Sequence, residues 1–143
     1  MGDTYDSAAA SHRALRAIQQ ELERHPIVTE VRGFPAGEFI RVVARLETER
    51  WGRDSEDATF TVRWFAGETA DATPEFSFHY SDATTDFGWH HEPNPHVDGW
   101  GHFQERNAAG TAYSYEPHSF GSLTPARLVW EVMSLTSSRL KTT

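Results

Sequence analysis

Beyond Pro26 the apolar residues fall on every second position, and this period constrains the chain more than any other feature. Ile40, Val42, Ala44 and Leu46 alternate with Arg41 and Arg45. Phe60, Val62 and Trp64 repeat the pattern around Arg63, and Phe76, Phe78 and Tyr80 repeat it once more. A period of two puts neighbouring side chains on opposite faces of a pleated strand, so one face is built for burial and the other for water. "IVTEVRGFPAGEFIRVVARLETERW" therefore reads as two strands around the turn "GFPAG", and "ATFTVRWF" as a third. The polar loop "AGETADATPE" follows, then "FSFHYSDATTDFGWHH" as a hairpin with Phe87 and Trp89 on its returning strand. "WGHFQER" and "TAYSYE" supply two further short strands.

The two ends keep a different period. Ala14, Leu15, Ile18 and Leu22 recur at helical spacing from Ser7 to Arg24, and His25-Pro26 ends that helix. Near the other end Thr124 is placed to cap and Pro125 to take the first helical position, with Leu128, Val132 and Leu135 as the buried stripe. The expected class is α+β: an antiparallel sheet flanked by an N-terminal and a C-terminal helix, residues 1–143 forming a single domain. Strand order does not follow from periodicity.

A chain of 143 residues with 38% hydrophobic and 13% aromatic content has enough apolar material for a core. No apolar run is long enough to cross a bilayer. The N-terminal segment carries acids and an amphipathic pattern where a signal peptide has a basic end and an apolar centre, so a cytoplasmic location is expected. Zero cysteines exclude disulfides, thiolate metal ligands and cysteine nucleophiles. The formal charge is −8, and Lys141 is the single lysine among 13 basic residues. Acid-rich, lysine-poor composition points to salt adaptation, in which net charge serves solubility and does not decide against a nucleic-acid partner.

Six of the eight histidines lie between His79 and His118, and four of them fall in "FGWHHEPNPHVDGWGHFQE". His90, His91, His96 and His102, with Asp98 or Glu92, offer donors for a divalent transition metal. Against a metal, the spacing contains no HExxH and no helical i,i+4 pair, and adjacent His90 and His91 point to opposite faces of a strand. A second reading is metal-free acid–base chemistry, in which two imidazoles take a proton from an RNA 2′-hydroxyl and return one to the leaving 5′-oxygen. His96 and His102, either side of "VDGWG", form that pair, with Tyr80, Tyr113 and Arg106 near in sequence to steady the phosphorane. A third reading leaves the histidines as hydrogen-bonding members of a polar loop.

Trp89 and Trp100 have the π-faces to stack on bases, or to close a core. Phe87 shares the strand parity of Trp89 and favours the core for that residue. Arg41, Arg45 and Arg63 share the polar parity of paired strands, which makes either a cationic stripe for phosphate or partners for Glu47, Glu49 and Asp57. No phosphate-binding glycine loop and no GxSxG elbow is present.

The block "FSFHY…FGWHHEPNPHVDGWGHF" resembles the TumE-like toxins of toxin–antitoxin modules. Phe78-His79-Tyr80 and Phe87-Gly88-Trp89 match that family's aromatic hairpin. Pro93, Pro95 and His96 match its Pro-His turn, and Trp100-Gly101-His102 its Phe-Pro-His stretch. His90-His91 stands in place of an Asp-Asn, Asn94 replaces a histidine, and Phe103 and Glu105 replace later ones. The resemblance implies a small toxin that cleaves RNA, is neutralised by a cognate antitoxin protein, and uses His96, His102 and His79. The leading expectation is thus a metal-independent endoribonuclease without cofactor, Arg106, Arg41 or Arg63 holding phosphate. The alternatives are a nuclease that uses a divalent transition metal and a non-catalytic interaction module.

Overall fold

The computed structural model describes residues 4–34, 40–53 and 57–141. Helix α1 (Ser7–Arg24) is followed by seven strands: β1 (Val28–Phe34), β2 (Arg41–Leu46), β3 (Thr59–Phe65), β4 (Glu75–Ser81), β5 (Asp86–His91), β6 (Gly101–Arg106) and β7 (Tyr113–Pro117). Helix α2 (Pro125–Lys141) closes the chain. The strands form one antiparallel sheet in the order β1-β2-β3-β4-β5-β6-β7, each pairing with the next in sequence. This is the expected α+β class, and the strand order is a plain meander.

Helix α1 starts where the Asp6 carboxylate accepts a hydrogen bond from the Ala9 amide at 3.1 Å, which satisfies one of the first-turn donors. It lies over β1, β2 and β3 and packs against α2. Ala14, Leu15, Ile18 and Leu22 are buried on it, as their spacing requires. Helix α2 buries a wider stripe than expected. Leu128 and Val132 are joined by Val129, Met133, Thr136 and Leu140, while Leu135 is partly buried. The Thr124 carbonyl accepts the first helical bond, from the Leu128 amide at 3.0 Å.

Against these helices lie Val42, Ala44 and Leu46 of β2, Phe60, Val62 and Trp64 of β3, Phe76, Phe78 and Tyr80 of β4, Phe87 and Trp89 of β5, and Phe103 of β6. Each fully buried aromatic or aliphatic side chain contributes about 1.5–3 kcal/mol, so this face carries most of the stability. Trp89 is a core residue, stacked at a tilt on Phe103 with ring centres 5.0 Å apart. Ile40 departs from expectation. The ladder between β1 and β2 ends at the pair Phe34↔Arg41, so Ile40 lies beyond the pleat that would turn it inward and is 66% exposed. Pro35, Ala36 and Gly37 of the expected "GFPAG" turn lie outside the described residues.

One turn positions the site. The Asp82 carboxylate accepts hydrogen bonds from the Thr84 and Thr85 amides at 2.9 and 2.8 Å and from the Tyr80 hydroxyl at 2.5 Å. Arg53 donates to the same carboxylate at 3.1 Å and to Thr85 at 2.7 Å. A buried aspartate bonded on this many sides fixes the β4–β5 hairpin, and the first residue after that turn is Asp86.

Candidate functional site on the open sheet face

The helices cover one face of the sheet; the polar parity of every strand meets on the other. The pairs Arg41↔Arg63, Arg63↔Ser77, Ser77↔His90 and His90↔His102 make one continuous row across five strands. The adjoining row runs Thr61, His79, Gly88, Gln104 and Tyr115. The register thus brings three histidines from β4, β5 and β6 side by side.

They form a connected chain. The Asp86 carboxylate pairs with Nε2 of His79, and it also accepts from the Tyr113 hydroxyl at 3.0 Å and lies 3.8 Å from Arg106. Nδ1 of His79 faces Nε2 of His90 at 3.4 Å. The His90 ring stacks on that of His102 with centres 5.3 Å apart. His79 reaches both neighbours because Gly88 lies opposite it: a Cβ at Gly88 would come within 2.5 Å of His79 Nδ1 and 2.6 Å of the Phe78 carbonyl oxygen.

The hydrogen bonds assign the protons. A carboxylate only accepts, so Asp86 fixes a proton on Nε2 of His79. In the neutral ring, Nδ1 of His79 then accepts the Nε2 proton of His90, which leaves the lone pair of His90 on Nδ1. At His102, Nδ1 lies 3.3 Å from the Trp100 carbonyl oxygen and donates to it. Asn94 uses its oxygen to accept the His96 amide at 2.8 Å. Its NH₂ is thereby turned toward His102 Nε2, at a long 3.5 Å. Burial is the main reason His90 has its pKa pushed down to about 3; electrostatic coupling to His79, His102 and Arg63 adds to it, and Asp86 opposes it. His90 is therefore neutral at pH 7. Tyr113 is shifted upward by burial and by its bond to Asp86.

Beside His90 opens a cleft of about 400 Å³ lined by Ile40, Arg63, Phe65, Ser77, His90 and Glu92, among others. Ile40 and Phe65 are exposed apolar walls. Arg63 and Arg41 sit directly opposite each other, and among the described residues neither has a carboxylate partner. Like charges across a strand pair are destabilising, and an anion bound between them would relieve the repulsion. Arg41 also stands over the Phe34 ring at 5.7 Å.

The residues singled out in the sequence are distributed unevenly around this site. His79 is inside the chain of imidazoles, and Arg106 touches it through Asp86. His102 is also inside but wholly buried, so it contacts its neighbours and no solvent. His96 lies on the exposed turn, stacked flat on Tyr115 with ring centres 4.4 Å apart. Tyr115 in turn lies 6.2 Å from His102. His90 and His91 do point to opposite faces: His91 is buried between Phe76 and Trp100 and donates from Nδ1 to the Pro74 carbonyl at 2.7 Å. His118 follows Pro117, the strand partner of His102, but its side chain turns to helix α2 and pairs with Glu131 at 3.4 Å. Asp86 was missed by the sequence reading, although the parity it shares with Gly88 and His90 would have placed it on the same face.

No family model, curated protein or solved structure matches the chain. Among the described residues no helix is long and apolar enough to cross a membrane.

Proposed function

We propose that the open face is the active site of a toxin-like endoribonuclease working by imidazole acid–base chemistry, held in check in the cytoplasm by a cognate antitoxin. The observation that carries this reading is the Asp86–His79–His90 chain ending at the cleft that Arg63 lines. A second imidazole lets the first pass on one proton as it accepts another, so that the charge comes to rest on the ring the carboxylate stabilises. Nδ1 of His90 takes the proton of a ribose 2′-hydroxyl as its Nε2 proton passes to Nδ1 of His79. The positive charge then rests on His79, against Asp86. This relay suits a residue whose direct charging is opposed above all by burial, with the Arg63 charge adding to it.

The freed 2′-oxygen attacks phosphorus, the bond to the 5′-oxygen breaks, and a 2′,3′-cyclic phosphate forms. Arg63 and Arg41 hold the phosphoryl oxygens, and Phe65 offers a stacking surface to a base. His96 stands at the far end of the ring series His90–His102–Tyr115–His96 and does not line the cleft, so the departing 5′-oxygen takes its proton from solvent. His102 positions His90 by stacking and does not touch RNA. The toxin and antitoxin parts of the reading are supported by the resemblance of the histidine block alone.

The purified protein is expected to cleave single-stranded RNA in the presence of EDTA, with a 2′,3′-cyclic phosphate on the product. His90→Ala and Asp86→Asn should each reduce the rate by about 10²–10⁴ while the fold is retained by circular dichroism. Cleavage at the wild-type rate in both variants would overturn the assignment. Growth arrest on expression of the wild type, absent for His90→Ala, tests the toxin reading separately.

A further inference from the structure

The neutral protonation pattern leaves something unbalanced beside the cleft. Nδ1 of His90, which carries a lone pair, lies 3.4 Å from a carboxylate oxygen of Glu92. Nε2 of His102 carries a second lone pair, opposed only by the long 3.5 Å approach of the Asn94 amide. One donor atom from each of His90, Glu92 and His102 lies within 4.8 Å of the other two. Acceptors that converge with only that long amide contact to satisfy them are stabilised by a cation.

We propose that His90, Glu92 and His102 bind a divalent transition-metal ion of the zinc type, two imidazoles and one carboxylate filling three positions and leaving a fourth open to the cleft. The remaining ring nitrogens support this. His90 donates its Nε2 proton to His79, which Asp86 holds, and His102 donates its Nδ1 proton to the Trp100 carbonyl. Ligand imidazoles are oriented by hydrogen bonds of this kind from the nitrogen that does not bind metal. The Trp100 carbonyl accepts from the Glu92 amide as well, at 3.0 Å, so one backbone group fixes two of the three ligands. Imidazole with carboxylate selects zinc, cobalt or nickel over calcium or magnesium.

Donors about 2.0–2.1 Å from a tetrahedral ion stand about 3.4 Å apart, a spacing that His90 Nδ1 and Glu92 already have, so it is the distance to the His102 donor, within 4.8 Å, that must close. Glu92, its side chain 47% exposed, has the freedom to shift toward His102 while staying beside His90. The ion would occupy the Nδ1 lone pair that proton transfer uses. Metal occupancy and metal-free cleavage are therefore alternatives at one atom. Metal binding itself does not depend on the ribonuclease reading.

The direct experiment titrates the full chain, stripped with EDTA and dialysed, with Zn²⁺ or Co²⁺ against a chromophoric chelator. One ion per chain is expected, with visible d–d bands from cobalt and a raised melting temperature with zinc. Glu92→Gln should weaken binding at least tenfold and remove the thermal shift, and His90→Gln should do the same. His118→Gln, outside the site, should bind as the wild type does. His102 is wholly buried and its variants risk the fold, so the half-exposed Glu92 carries the test. Absence of saturable binding, or binding unchanged in both Glu92→Gln and His90→Gln, overturns the proposal.

Discussion

The two faces of this sheet are made by the same strands and obey opposite rules. On the helix-covered face Phe60, Phe78, Tyr80 and Phe87 are completely buried. Their neighbours on the open face include two opposed arginines, three adjacent imidazoles and a glycine, a residue that strands ordinarily disfavour. The covered face lowers the free energy of the fold at nearly every position. The open face gives some of it back: it places like charges across a strand pair and confines His90 in a setting that resists protonation. Concessions concentrated on one face are what a site kept for function would show, and they support the proposed reading of that face.

Adjacent residues of β4 allow the sharpest test of this contrast. Phe78→Ala removes a wholly buried ring and should destabilise the protein by about 3–5 kcal/mol, seen as a large fall in melting temperature. His79→Ala, one position along and on the other face, should change the melting temperature little. It should cut RNA cleavage by about 10²–10⁴, the usual worth of a positioned acid–base group. If His79→Ala unfolds the protein as Phe78→Ala does, the division of labour between the faces is wrong.

Acid should find the open face first. His90 has a folded pKa of about 3, below its ordinary value of 6.5, so between those values the unfolded chain binds a proton that the folded chain refuses. Stability from this group is complete above about pH 6.5 and declines as pH falls toward 3. The loss amounts to a few kcal/mol on the order of magnitude set by that shift. The groups facing His90 are His79, His102, Arg63, Asp86 and Glu92. Urea melts in EDTA across this range should show a shallower pH slope for His90→Gln than for the wild type. Parallel slopes would mean that His90 is protonated as easily folded as unfolded.

Much of the covered face was legible in the sequence because burial imposes a period. Val42, Phe60, Phe78 and Trp89 follow from alternation alone, and Ser7–Arg24 from helical spacing and the Pro26 stop. The open face was legible only in part. Parity separated His90 from His91 and grouped Arg41 with Arg63, as the register bears out. It did not join His79 to His90 and His102, because that depends on the register between strands, which turn geometry sets and periodicity does not. Burial of His102 was also unreadable: it results from Asn94, Trp100 and Tyr115 closing over one edge. Ile40 failed for the converse reason, since alternation does not say where a ladder stops.

Gly88 is where the two faces meet in one residue, and its substitution should have a smaller effect than either of the tests above. An added methyl would press on His79 Nδ1 and on the Phe78 carbonyl, and the carbonyl, being backbone, has little room to yield. Gly88→Ala should cost about 1–3 kcal/mol by overpacking, measured by denaturant melts. It should lower cleavage further than that loss explains, because the His79 ring must turn away from Asp86 or from His90. A variant destabilised but fully active at low temperature would show that the His79–His90 contact is dispensable.

The smallest effect belongs to the arginines, and it separates binding from chemistry. Arg63 is exposed on β3, lines the cleft beside His90 and has no carboxylate partner among the described residues. A cation that only holds the substrate phosphate contributes equally to ground and transition states, so its loss raises KM and spares kcat. Arg63→Gln should raise KM for RNA about tenfold, equivalent to about 1.4 kcal/mol, with the rise shrinking at high salt as screening weakens the wild-type contact. Removing one of two opposed arginines also relieves their repulsion, so the variant should melt no lower than the wild type. Steady-state kinetics at two salt concentrations, with a melt alongside, read all three quantities. A fall in kcat at unchanged KM would instead move Arg63 from holding the phosphate to stabilising the charge that develops as the bond breaks.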